Sequence, residues 1–123
     1  MKVKIYPQPL SGKIKIPGSK SLTHRALICA SLAEGKTVIT NPLISDDTLA
    51  TINCLRSMGV KVEILNDIIK INGVKRLIVT DDLEILESAS TLRFLIPLIS
   101  LWNEHFTIKT SPRLIERIKT IDL

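Results

Sequence analysis

Lys20, Ser21 and Arg25 lie close together in the stretch Pro17-Gly18-Ser19-Lys20-Ser21-Leu22-Thr23-His24-Arg25-Ala26, and their types suit a small phosphorylated anion. A helix start offers unpaired backbone N–H groups and the positive end of the helix dipole. Lys20 adds a mobile point charge, and Arg25 adds a planar fork matched to phosphate or carboxylate. Arg25 follows Ser21 by one helical turn, so both side chains can reach one ligand from the same face. Pro17 and Gly18 turn the chain out of a preceding strand, and Gly18 lets backbone approach closely. The stretch is not a nucleotide P-loop, which needs glycine directly before its lysine; Ser19 occupies that place.

The elements that must position these residues follow from periodicity. Residues 2–6 and 12–16 alternate as strands, separated by a turn between Pro7 and Gly12. A helix is predicted from Ser21 to Glu34, stopped by Gly35. Residues 36–41 form a β-branched strand closed by Pro42. Ser45 is placed as the N-cap of a second helix that ends at Gly59. Residues 60–65 and 68–72 read as a hairpin around Asn66-Asp67, and 77–80 as a further strand. Ser88 or Ser90 caps a third helix running to Ser100, with Pro97 as a kink. Residues 105–110 make a last strand, and 116–123 open a helix that has no stop signal. The alternation is that of an α/β protein.

Composition narrows the possible ligands. The chain has 123 residues, enough for one ordinary domain, and carries 17 Lys and Arg against 12 Asp and Glu, a net charge of +5. Such a surplus suits nucleic acid, an acidic membrane or small anions. With one Trp, one Tyr and two Phe, none interleaved with a basic run, nucleic acid is disfavoured. The apolar run 92–101 is too short to span a bilayer and contains Arg93. The N-terminal MKVKIYPQPLSGKI lacks a signal-peptide core, which leaves a cytoplasmic reading with no membrane partner. Cys29 and Cys54 sit in apolar helical patterns and are expected to be buried small hydrophobes in a reducing compartment. No Cys or His spacing suggests a metal. Asp46 and Asp47 fit the first turn of a helix, Asp81 and Asp82 a turn, and His24 and His105 lack spaced partners, so none reads as a site.

The stretch PGSKSLTHRALICASLAEGKT resembles the N-terminal signature of the 5-enolpyruvylshikimate-3-phosphate synthase (3-phosphoshikimate 1-carboxyvinyltransferase) family. Thr40-Asn41-Pro42-Leu43 with Ser45-Asp46-Asp47, then Glu87 to Leu95, then Ser111-Pro112-Arg113-Leu114 match in the family's order. The resemblance implies the enolpyruvyl transferase fold of βαβαββ-type units. The chain would hold about one and a half units of one domain (residues 19–123). Residues 1–18 would be strands and a hinge that pack with the other domain. It implies transfer of enolpyruvyl from phosphoenolpyruvate to the 5-hydroxyl of shikimate 3-phosphate, releasing phosphate, in aromatic amino acid biosynthesis, without cofactor or metal.

By the same resemblance, Lys20 lies between the substrates and takes part in proton transfer, while Ser21 and Arg25 hold shikimate 3-phosphate. Ala89, Ser90, Arg93 and Arg113 belong to the phosphoenolpyruvate side. Ala89 replaces a glycine common in the family, which implies weaker binding of the longer inhibitor glyphosate. Ile85 and Leu86 replace a small pair, often Cys-Gly, and Ile118 replaces a proline after Arg117. The related transferase acting on a UDP-amino sugar lacks the Ser-Lys-Ser-x-x-x-Arg pattern. Family members are several times longer, usually monomeric, and bring further site residues from later segments. The chain alone is therefore expected to be an inactive N-terminal portion, prone to self-association. The competing reading is a decayed product that at most binds anions.

Overall fold

A computed structural model describes residues 1–80, 82–102 and 105–119, the last without its side chain. Four helices and five strands follow one another as α1 (Lys20–Leu32), β1 (Gly35–Thr40), α2 (Asp46–Ser57), β2 (Lys61–Leu65), β3 (Ile68–Gly73), β4 (Leu83–Glu84), α3 (Ala89–Ser100), β5 (Ile108–Lys109) and α4 (Pro112–Lys119).

β3 is the centre of an antiparallel sheet in the order β1-β3-β2. Its register decides what each face carries. Thr37, Ile71 and Val62 share one rung and Ile39, Ile69 and Ile64 another, on the side that packs against the helices. The alternate rungs, Lys36-Asn72-Lys61 and Val38-Lys70-Glu63, face outward, the period-two pattern of a sheet wetted on one side. A shallow depression of about 360 Å³ on that outer face holds none of the candidate site residues.

The helices insert Leu27, Ile52, Leu55, Leu95 and Ile99 beneath the sheet, all fully buried. Local chemistry starts α2: Ser45 accepts from the Thr48 amide while the Thr48 hydroxyl accepts from the Ser45 amide at 2.9 Å, a reciprocal cap. Arg56 in the last turn donates to the Val62 carbonyl at 2.7 Å and so fastens α2 to an edge strand. At the end of β3, Gly73 lies under α1, where a Cβ would collide with the Ala33 carbonyl oxygen and meet that of Ala30 at 2.5 Å. α3 is the crossover between the parallel strands β4 and β5.

Several expectations change. Residues 1–19 form no regular structure, and Val3, Ile5, Leu10 and Ile14 are largely exposed. Alternation makes a strand only when a sheet edge receives it, and none of the described strands pairs with these residues. Residues 77–80 are not a strand: Leu77 is buried as a plug, and the Ile78 amide points to the Met58 carbonyl at 3.5 Å. The strand forms at Leu83–Glu84 instead, and residues 105–110 shrink to the pair Ile108–Lys109. α4 starts at Pro112, four residues before Glu116, where the last helix is predicted to open, because Pro is well suited to a first helical position. Asp81 and residues 120–123 lie outside the described residues.

Cys29 is exposed, whereas Cys54 is buried and its Sγ donates to the Glu84 carbonyl at 3.4 Å. Burial pushes the Cys54 thiol up to about 11. One thiol per chain should therefore react promptly with Ellman's reagent at neutral pH, with Cys54 following only on denaturation. Rapid titration of both thiols in the native protein would contradict the packing around α2.

Candidate functional site

Three capped helix starts lie in reach of one another. Ser19 caps α1, Ser45 caps α2 and Ser88 caps α3, each side chain accepting from an amide three residues on. Lys20 Nζ meets Asp47 Oδ2 at 2.6 Å, and His24 Nδ1 meets the Thr51 hydroxyl at 2.8 Å. These two pairs advance together, so α1 and α2 run side by side in the same direction. The Thr51 and Thr91 hydroxyls are 2.7 Å apart, and Thr91 donates to Ser88 Oγ at 2.7 Å. The first turn of α3 is thereby joined to the other two.

Around this junction the predicted residues take distinct positions. Lys20 is half-exposed and lines an open depression of about 440 Å³ with Leu43, Ser45, Asp46 and Asp47. Ser21 is exposed, and its carbonyl accepts from Arg25 Nη1 at 3.1 Å. Arg25 stacks its guanidinium 5.5 Å from the ring centre of Phe94 on α3, a cation–π contact. Ala89 and Ser90 open α3 and are partly buried, with Arg93 exposed in the next turn. Arg113 reaches Glu87 at 3.6 Å, beside the segment that leads into α3. Lys20, Arg25 and the 87–90 segment thus border one junction, and Arg113 stands at its far margin.

Gly18 is required by close approach. A Cβ there would collide with the Asn41 carbonyl oxygen and lie 2.9 Å from the Leu43 amide nitrogen. The Leu43 amide in turn donates to the buried Thr23 hydroxyl at 2.9 Å, which ties the 41–43 turn to α1. These contacts position the turn that leads into Ser45 against the start of α1.

A sequence model of the EPSP synthase (3-phosphoshikimate 1-carboxyvinyltransferase) family matches residues 5–117. The chain belongs to the EPSP synthase family. It is 46% identical over 116 residues to the 3-phosphoshikimate 1-carboxyvinyltransferase of Clostridium kluyveri, covering 94% of this chain and 27% of that relative. To the Clostridioides difficile enzyme of the same name it is 45% identical over 107 residues, covering 78% and 24%. A solved EPSP synthase from Acinetobacter baumannii superposes with a TM-score of 0.75 at 30% identity, over 82% of this chain and 24% of that one. The chain thus spans about a quarter of the length of these relatives and shares the α/β architecture of the solved structure over that part.

Ile85 and Leu86, just before α3, have distinct environments. Ile85 is fully buried in the core. Leu86 has φ of 52°, a left-handed conformation that costs a residue with a Cβ about 1–2 kcal/mol and that glycine adopts freely. Its carbonyl is held by the Thr110 hydroxyl at 2.6 Å and the Ser111 amide at 3.3 Å. Among the described residues no cluster of His, Cys, Asp and Glu could hold a metal ion, and no helix is long and apolar enough to cross a membrane.

From sequence, Asp47 and His24 read as structural, and Glu87 and Phe94 have no role of their own. Asp47 had a sufficient local explanation in its first-turn position, and the structure adds the Lys20 contact. His24 is almost fully buried, and its Nε2 has no hydrogen-bond partner. The available signal was its place on the inner stripe of α1, where it falls among the buried Thr23, Leu27, Ile28 and Ala30. The half-exposed Lys20–Asp47 pair contributes little to stability. Lys20→Ala is accordingly expected to change the free energy of unfolding by less than about 1 kcal/mol, read from urea midpoints. A larger loss would make Lys20 a structural residue.

Proposed function

We propose that this chain supplies the first part of an enolpyruvyl transferase site, which moves the enolpyruvyl group of phosphoenolpyruvate to the 5-hydroxyl of shikimate 3-phosphate and releases phosphate. The observation that carries this reading is the junction of three helix starts bordered by Lys20 and Arg25, inside a chain of this family. Both substrates are multiply charged anions, so the site must chiefly neutralise charge and hold geometry. Ser21 and Arg25 grip shikimate 3-phosphate. Ser90, Arg93 and Arg113 take the phosphoenolpyruvate side, where the Ala89 methyl narrows the space. Lys20 stands between them as the proton-transfer group, with Asp47 holding it until an anion competes.

Residues 1–18 then pack with a second domain and residues 19–123 begin the first. The largely exposed Val3, Ile5, Leu10 and Ile14 support an arm that is completed elsewhere. The remaining site groups come from segments beyond this chain, so the chain alone does not turn over. The setting is cytoplasmic aromatic amino acid biosynthesis.

The test is a chimera in which residues 1–117 replace the matching part of the Clostridium kluyveri relative. Phosphate release from the two substrates is expected from the chimera and not from the isolated chain. Lys20→Ala in the chimera should cost about 10²-fold or more. An inactive but folded chimera would favour the decayed-product reading. In an active chimera, Ala89→Gly should lower the inhibition constant for glyphosate; an unchanged constant removes the steric role given to that methyl.

A further inference from the structure

Most of the groups around the junction are exposed, but one chain of polar atoms is not. His24, Thr51, Thr91 and Ser88 are each at most 1% exposed, although all four carry polar side chains. They come from α1, α2, α3 and the cap of α3. Apolar residues would fill the same space without a desolvation cost, so a buried polar line that survives between three helices needs a reason. We infer that His24, Thr51 and Thr91 form a positioning relay that ties the Lys20–Arg25 segment of α1 to the Ser88–Ser90 segment that opens α3.

Distances set the direction of the relay. Thr91 could donate to Ser88 Oγ at 2.7 Å or to the Asp47 carbonyl at 3.4 Å, and the shorter bond prevails. Its hydroxyl oxygen then accepts from Thr51 at 2.7 Å, a far shorter contact than the 3.5 Å from Thr51 to the Asp47 carbonyl. Thr51 must in turn accept from His24 Nδ1–H at 2.8 Å. Both threonine hydroxyls thus have a donor and an acceptor, and His24 is left as the neutral tautomer with a bare Nε2.

The same histidine packs its ring against Phe94, with centroids 6.4 Å apart, and Phe94 carries Arg25 on its face. α3 therefore holds α1 twice, once through hydroxyls and once through an aromatic ring. The coupling itself stands on these contacts. Its consequence for substrate, that the shikimate 3-phosphate grip and the phosphoenolpyruvate loop are held at a fixed separation, rests on the transferase reading above.

Protonating His24 would load this line with a charge and an unpartnered buried N–H. Burial lowers the His24 pKa below 6.5, Lys20 and Arg25 on the same helix push it the same way, and Asp47 from α2 opposes them; α3 presents the uncharged Thr91 and Phe94. The folded state therefore favours the neutral ring. The stability it contributes is complete above pH 6.5 and is lost as pH falls through the lower folded value.

The experiment is a pH titration of the isotope-labelled 123-residue chain by NMR. His24 is expected to titrate below the ordinary histidine value of 6.5, with the amides of Ser88, Ala89, Ser90 and Thr91 stepping at the His24 midpoint. Thr91→Val should abolish the step at residues 88–90 while His24 still titrates, and Thr91→Ser, which keeps the hydroxyl, should retain it. Amides of 88–90 that ignore the His24 midpoint, or that follow it equally in Thr91→Val, would overturn the relay. So would the lack of a resolved His24 resonance, because the relay requires a formed core. If Thr91→Val does not fold, coincidence of the midpoints in the unaltered chain decides alone. None of these readings depends on turnover, so an inactive chimera and a failed relay are distinct results.

Discussion

Helix starts resist being brought together, because each carries roughly half a positive charge on its free amide ends. In this protein α1, α2 and α3 begin beside one another, and the rest of the structure depends on how that repulsion is managed. Serine caps satisfy one amide at each start without adding charge. Asp46 and Asp47 place negative charge in the first turn of α2, and α1 and α3 have no acid in theirs. Beneath them the line of hydroxyls from His24 to Ser88 supplies oriented dipoles where a buried ion would be costly.

The junction is graded from dry to wet. The relay is buried, Arg25 and Phe94 sit above it, and the Lys20–Asp47 and Arg113–Glu87 pairs lie at the exposed rim. Rim pairs of this kind are worth little to folding, so their cations can exchange a carboxylate for another anion at small cost. Stability resides in the apolar layer of Leu27, Ile52, Leu55 and Ile69 under the sheet. Separating the two roles lets a ligand perturb the rim without disturbing the core.

Elements dictated by short-range chemistry were readable in advance. Ser45 starts a helix because its side chain and that of Thr48 satisfy each other's amides within four residues. The hairpin between β2 and β3 turns at Asn66, whose φ of 48° is a conformation asparagine tolerates. Ser88 starts α3, and Pro97 stays within it. The helix start at the 17–25 stretch was equally local, since Ser19 caps it within three residues. Some elements that need a distant partner were misplaced, although the strand at 36–41 was legible from its β-branched residues. Residues 2–6 and 12–16 alternate but pair with no described strand, while Leu83–Glu84 pairs with Ile108–Lys109 across a helix.

By itself, then, the chain's order of residues determined the starts of the first three helices, the hairpin, the cationic groups and the family. Tertiary structure decided which of those cations meet which carboxylates, and that Cys29 is exposed while Cys54 is buried. It also made His24, which has no spaced partner in the sequence, the buried head of a hydrogen-bonded line. The physical reason is one of range. Caps and turns close within a few residues and are written in adjacent side chains. The contacts Lys20–Asp47, Thr51–Thr91 and Glu87–Arg113 join residues far apart in sequence, and only packing of the helices against the sheet brings them within bonding distance.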